Sequence, residues 1–151
     1  MYRRILVPVD GSAPSKRALL EAIKLVKGWG GAKLRLVHVV DEFVMDAMYV
    51  GAYYQNLVDS LRAVGQATLD DAAATVRQHA LEAEAVLLET VGRRVADHVV
   101  TQAREWPADL IVMGTHGRRG VRRLLMGSDA ELVLRTSPVP VLLVRDEPEA
   151  G

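Results

Sequence analysis

The chain has 151 residues, 50% of them hydrophobic, enough for one domain with a sizeable core. Lys plus Arg and Asp plus Glu number 19 each, so the formal net charge is zero, which argues against a dedicated nucleic-acid binder. Cysteine is absent, which excludes a disulfide framework, a thiolate zinc site and a cysteine nucleophile.

Arg4-Ile-Leu-Val-Pro-Val9 is a short apolar run bounded by charge and predicts a buried strand. It is too short for a signal peptide, and no stretch reaches the roughly 18 apolar residues that a membrane span needs. A soluble, cytoplasmic protein with no membrane association is the expectation. Asp10-Gly-Ser-Ala-Pro14 reads as a turn, with Ser12 as N-cap and Pro14 in the first turn of a helix. Leu19, Ala22, Ile23 and Val26 recur at helical spacing, and Gly28, Gly30 and Gly31 are expected to end that helix. Lys33 to Val40 predicts a second strand.

Residues 41–54 have no clean period and hold the chain's only Phe and three of its four Tyr. They read as a loop or helix start packed on the core, with a flap over a ligand as the alternative. Leu57, Leu61, Val64, Thr68, Ala72 and Val76 mark one face of a long helix from Gln55 to about Ala80. Glu84 to Thr90 predicts a third strand, and Val95, Val99, Ala103 and Trp106 a third helix that stops before Pro107. Leu110 to Met113 predicts strand four, Gly127 to about Arg135 a fourth helix, and Val139 to Val144 strand five. The alternation predicts βαβ units and a mostly parallel sheet covered on both faces. A single domain over 1–146 with a polar tail at 147–151 follows.

In open α/β sheets, ligands bind beyond the carboxyl ends of the strands, where the strand order reverses. Asp10, Val39 and Gly114 all fall at such ends. Gly114-Thr-His-Gly117 begins where strand four stops, and after nine intervening residues Gly127-Ser128 opens the last helix. Glycines in such a link bring backbone N–H groups close to an anion, and the helix N-terminus favours one. Met113 and Gly114 would begin this cradle, Ser128 would add a hydroxyl, and Asp10 would accept hydrogen bonds from a ribose. The bland alternatives are a turn glycine without a ligand, a capping Ser128, and an Asp10 that serves only the turn Gly11-Ser12.

No P-loop, no Gly-x-Gly-x-x-Gly after strand one and no Gly-x-Ser-x-Gly elbow occurs. Of the four histidines, His38 reads as packed, and His79 and His98 as helix-surface residues. His116 lies in the cradle, within reach of a phosphate or ribose. Arg118, Arg119, Arg122 and Arg123 form a basic cluster that either draws in a polyphosphate or is a solvated loop.

Gly114-x2-Gly117-x9-Gly127-Ser128 resembles the nucleotide motif of the ATP-binding branch of the universal stress protein family. Ile5-Leu-Val-Pro-Val-Asp10-Gly-Ser, Leu36-Val-His-Val-Val40 and Ser137-Pro-Val-Pro-Val-Leu-Leu-Val144 resemble its opening, second and closing strands. The resemblance implies an open five-stranded parallel sheet of order 3-2-1-4-5 with helices on both faces. It implies ATP in the crevice, with AMP or ADP, and Mg2+ beside the phosphates, left open by Asp129. By position, Pro8 and Val9 would line the adenine, and Val39 would contact it through its backbone. Asp10 would hold the ribose, and Met113, Gly114, Gly117, Gly127 and Ser128 would surround the ribose and phosphates; His116 and Arg118 join the candidate site from their place in the cradle. Asp129 departs from the family pattern and would repel a triphosphate unless Mg2+ lies between them.

The resemblance also implies a homodimeric, nucleotide-dependent stress regulator with slow ATP hydrolysis at most and an unnamed protein partner. The apolar edge strand Val141–Val144 invites pairing with a second copy. A dimeric interaction module with an empty site is the first alternative, and a nucleotidyl transferase or hydrolase the second.

Overall fold

Alternation along the strands divides the apolar residues between two layers, and helices cover both. The computed structural model describes residues 1–41, 52–90, 92–116 and 126–146. Gly117, Arg118 and the rest of the arginine cluster, residues 42–51 of the aromatic stretch, and the tail from 147 lie outside the described residues. In chain order the elements are β1 (Arg4–Pro8), α1 (Ala13–Trp29), β2 (Lys33–Asp41), α2 (Ala52–Gln78), β3 (Ala83–Thr90), α3 (Val95–Glu105), β4 (Leu110–Gly114), α4 (Ser128–Thr136) and β5 (Val141–Val144).

The strands form a parallel sheet of order β3-β2-β1-β4-β5, as the resemblance implied. Ile5, Val7, Leu34, Leu36, Leu110 and Val112 face α1 and α2, where they meet Leu19, Ile23 and Leu69. Leu6, Val37, Ile111 and Met113 face α3 and α4, where they meet Ala96, Val99, Ala130 and Val133. The lower end of β1 is pinned by Asp109, whose two carboxylate oxygens accept the N–H groups of Arg3 at 2.8 Å and Arg4 at 3.0 Å.

Several boundaries shift by a residue or more from the sequence reading, and three of the shifts are informative. Helix α1 runs through Gly28, where an added Cβ would meet nothing within 4 Å, and ends at Trp29 with Gly30 as its cap. Helix α2 begins at Ala52 and takes Tyr53 and Tyr54 out of the irregular stretch. Pro140 precedes β5 instead of opening it, and its carbonyl accepts the Ile111 N–H at 3.0 Å.

His98 is half-buried, which refines the surface reading. Its Nε2 is buried on α3 with no hydrogen-bond partner among the described residues. Burial, then the charge of Arg93, depress its pKa, and Asp97 opposes them. The folded chain therefore binds this proton less readily than the unfolded chain does. The stability that neutral His98 gives is fully present above its ordinary pKa of about 6.5 and is lost as pH falls through the lower folded value. Urea midpoints measured from pH 8 downward are expected to fall in that window, and His98→Leu to flatten that part of the curve. An unchanged curve in the variant would assign the acid loss to other groups.

Candidate functional site

The strand order reverses between β1 and β4, and a continuous set of close contacts links their carboxyl ends. The N–H of Asp10 donates to Ser15 Oγ at 3.1 Å, and Ser15 is buried in the first turn of α1. Pro14 and Ser15 press against the last residue of β4. A Cβ on Gly114 would lie 2.8 Å from the carbonyl carbon and Cβ of Pro14 and 3.0 Å from the Ser15 nitrogen. Thr115 follows Gly114, its N–H donating to Val144 O at 3.0 Å and its carbonyl accepting the Gly127 N–H at 2.7 Å. The start of α4 is thereby fixed beside the end of β4 and the start of α1.

Asp10 sits in a turn opened by Gly11 at φ 80°. Its Oδ1 accepts the Ser12 N–H at 2.9 Å, and Ser12 Oγ accepts the Ser15 N–H at 3.3 Å as N-cap of α1. The turn role expected for Asp10 on the bland reading is therefore real. Gly127 is the N-cap of α4 at φ −60° and ψ 150°, a conformation open to any residue. It has no side chain to cap the helix, so among the described residues the first amides of α4 have no N-cap side-chain acceptor and carry the partial positive charge of a helix start. Ser128, the first residue of α4, is exposed. Asp129 turns its carboxylate to the neighbouring helix, where Oδ1 accepts the Ala96 N–H at 3.3 Å.

On the other side of the reversal, Val9 N–H donates to Val37 O at 2.8 Å, one rung past the last β1–β2 pair, Pro8 with Val37. Two-residue alternation turns the backbone N–H and C=O of Val39 to the same side as those of Val37, beyond the end of β1. Pro8 is half-buried, and Val9 and Val39 are buried.

The site also holds a residue whose role the sequence did not reveal. His38 Nδ1 donates to the Val9 carbonyl at 2.7 Å, immediately before Asp10. Its ring has room because α2 carries Gly65 there; a Cβ at that position would lie 2.7 Å from His38 Cδ2. His38 was read as packed. It packs and also fastens the end of β1 to β2. Its place on β2, four residues after Leu34 on the α1–α2 side, was the available signal.

Of the predicted site residues, Asp10, Met113, Gly114, Gly127 and Ser128 come together at the reversal. Pro8, Val9 and Val39 lie along its β1–β2 side. His116 lies two residues beyond β4, its Nδ1 3.1 Å from Thr115 Oγ1. Among the described residues no group of three or more His, Asp or Glu side chains is placed to hold a metal ion.

These features define an α/β protein whose strand order reverses between β1 and β4, with the first turns of α1 and α4 beside that reversal. The model of the universal stress protein family matches residues 1–145, and the chain belongs to that family. It is similar to the universal stress protein MJ0531 of Methanocaldococcus jannaschii, 32% identical over 145 residues, covering 96% of this chain and 83% of the relative. The solved structure of MJ0577, from the same organism, superposes with a TM-score of 0.85 at 24% identity and covers 99% of both chains, which shows the fold. A universal stress protein of Archaeoglobus fulgidus solved in complex with dAMP superposes with a TM-score of 0.67 at 25% identity, covering 95% of this chain and 98% of that one. Among the described residues no helix is long and apolar enough to cross a membrane.

Proposed function

We propose that the crevice between β1 and β4 binds an adenine nucleotide, ATP with Mg2+ or AMP or ADP, and that this chain is a nucleotide-dependent regulator in stress. The observation that carries the reading is the convergence of the start of α4, the Asp10 turn and the outward backbone of Val39 at the strand-order reversal. The dAMP complex of the A. fulgidus relative supports it. On this reading Val39 meets the adenine edge with its backbone, Asp10 meets the ribose, and the α4 amides with Ser128 meet the phosphates. Gly117 and Arg118 belong to the same proposal. A homodimer through β5 is part of the reading as well. Only β4 pairs with it among the described strands, and Leu142 is 39% exposed.

Mass spectrometry of small molecules released on denaturation, with calorimetric titration of AMP and ATP plus Mg2+, tests this reading. Asp10→Ala is expected to weaken binding about 10- to 100-fold, the loss of one hydrogen bond to a charged group. Asp10→Asn keeps the acceptor for Ser12 and separates the turn role from the ribose role. Gly127→Val accepts the native φ and ψ, so a large loss of affinity with unchanged thermal stability would report a side chain filling the cradle. Wild-type protein that takes up neither nucleotide at millimolar concentration overturns the reading in favour of a dimeric interaction module. Rapid turnover with a second substrate would instead favour a transferase.

A further inference from the structure

Asp129 is the one predicted site residue whose side chain serves a different element from the one expected, and its partner explains why. Helix α3 begins after Arg94, whose guanidinium carries only donors and can cap no amide. Asp97 reaches back to the Arg94 N–H at 3.3 Å, which leaves the N–H of Ala96, the second residue of α3, without a local acceptor. That acceptor comes from Asp129, the second residue of α4, through Oδ1 at 3.3 Å. One carboxylate thus lies between the positive ends of two helices, and both helices stabilise its charge.

We infer that Asp129 is a positioning residue that clasps the first turn of α3 to the first turn of α4 and so sets the direction of the α4 amides in the crevice. The inference rests on the adenine-nucleotide reading of that crevice. Asp129 is then not a ligand of Mg2+, and it is not a barrier to a triphosphate. The two helix ends already offset the charge that the sequence set against the phosphates. The amides it steers are those of Ser128, Asp129 and Ala130, which have no partner within α4. Ala130 and Ala96 are both packed in the core behind the clasp, so its loss lets the two helix ends move apart from the crevice side.

Two substitutions separate the possibilities. Asp129→Asn keeps Oδ1 as an acceptor and removes the charge; Asp129→Ala removes both. Amide hydrogen exchange at Ala96 reads the clasp directly, and calorimetric titration with AMP, and with ATP in the presence and absence of Mg2+, reads its consequence. The alanine variant is expected to exchange Ala96 faster and to bind AMP and ATP about tenfold more weakly, equally with and without Mg2+. The asparagine variant is expected to restore protection at Ala96 and to bind both nucleotides close to wild type.

An alanine variant that binds as wild type does, or binds ATP more tightly, overturns the inference. So does an asparagine variant that loses only the Mg2+-dependent part of ATP binding. Wild-type protein that binds no adenine nucleotide removes the functional reading and the positioning role together. In that case exchange at Ala96 still shows whether the clasp exists, so the two failures remain distinct.

Discussion

Gly114→Val is expected to lower the unfolding free energy by about 3 kcal/mol and the melting temperature by roughly 6–12 °C, and to abolish tight nucleotide uptake. Even the first carbon of a side chain would lie 2.8 Å from the Pro14 carbonyl carbon, a backbone atom that cannot turn aside. The first turn of α1 would have to move off β4. Ser15 would move with it, and Ser15 Oγ is what holds the N–H of Asp10. One substitution at the end of β4 therefore disturbs a residue on the far side of the strand reversal. Gly28→Ala is the matched comparison, since nothing lies within 4 Å of a Cβ there. In the last turn of α1 it should be neutral or stabilising by up to about 1 kcal/mol. Thermal unfolding of both variants checks the pair, and a Gly114→Val protein as stable as wild type would refute the close approach.

Ile111→Ala is expected to cost about 4 kcal/mol, within the range for emptying a fully buried aliphatic site. Ile111 is 0% exposed, pairs with Leu6 on β1 and Val141 on β5, and faces α3 and α4. Its neighbours are held by the sheet ladder on one side and two helices on the other, so the cavity cannot collapse easily. The melting temperature should fall by roughly 8–16 °C. Leu6→Ala should cost a similar amount, and the double variant should cost less than the sum, because the two side chains line one cavity. Urea unfolding with an unchanged slope measures all three, and full additivity would show that the two sites are independent.

The central strands were legible because they are buried on both faces. Residues 5–7, 34–40 and 110–113 read as near-continuous apolar runs, which only a parallel sheet inside two helical layers requires. The order of the strands was not in those runs; it came from the resemblance. Helix ends were less legible, since the end of α1 depends on which of three nearby glycines is the first to take a positive φ, and that is Gly30 at 61°, followed by Gly31 at 82°. The site was legible where a residue acts through its own backbone or turn, as at Asp10 and Gly127. It was not legible where a side chain answers a need elsewhere in the chain. His38 holds the Val9 carbonyl 29 residues away, and Asp129 serves an amide 33 residues away. His98 was read as a surface residue for the same reason, because its partial burial depends on what packs over α3.

The close approach at Gly114 changes what the glycine motif itself can report. The first glycine is required by the seat of α1 on β4, whether or not a ligand is ever present. The last glycine has a φ that any residue could adopt, so its backbone conformation does not demand it; on the proposed function, a phosphate at the start of α4 would. On that proposal, a descendant of this chain with no ligand would meet no backbone demand for glycine at position 127 and would still be bound to keep position 114 empty. The two ends of one motif thus record different histories, one of folding and one of use.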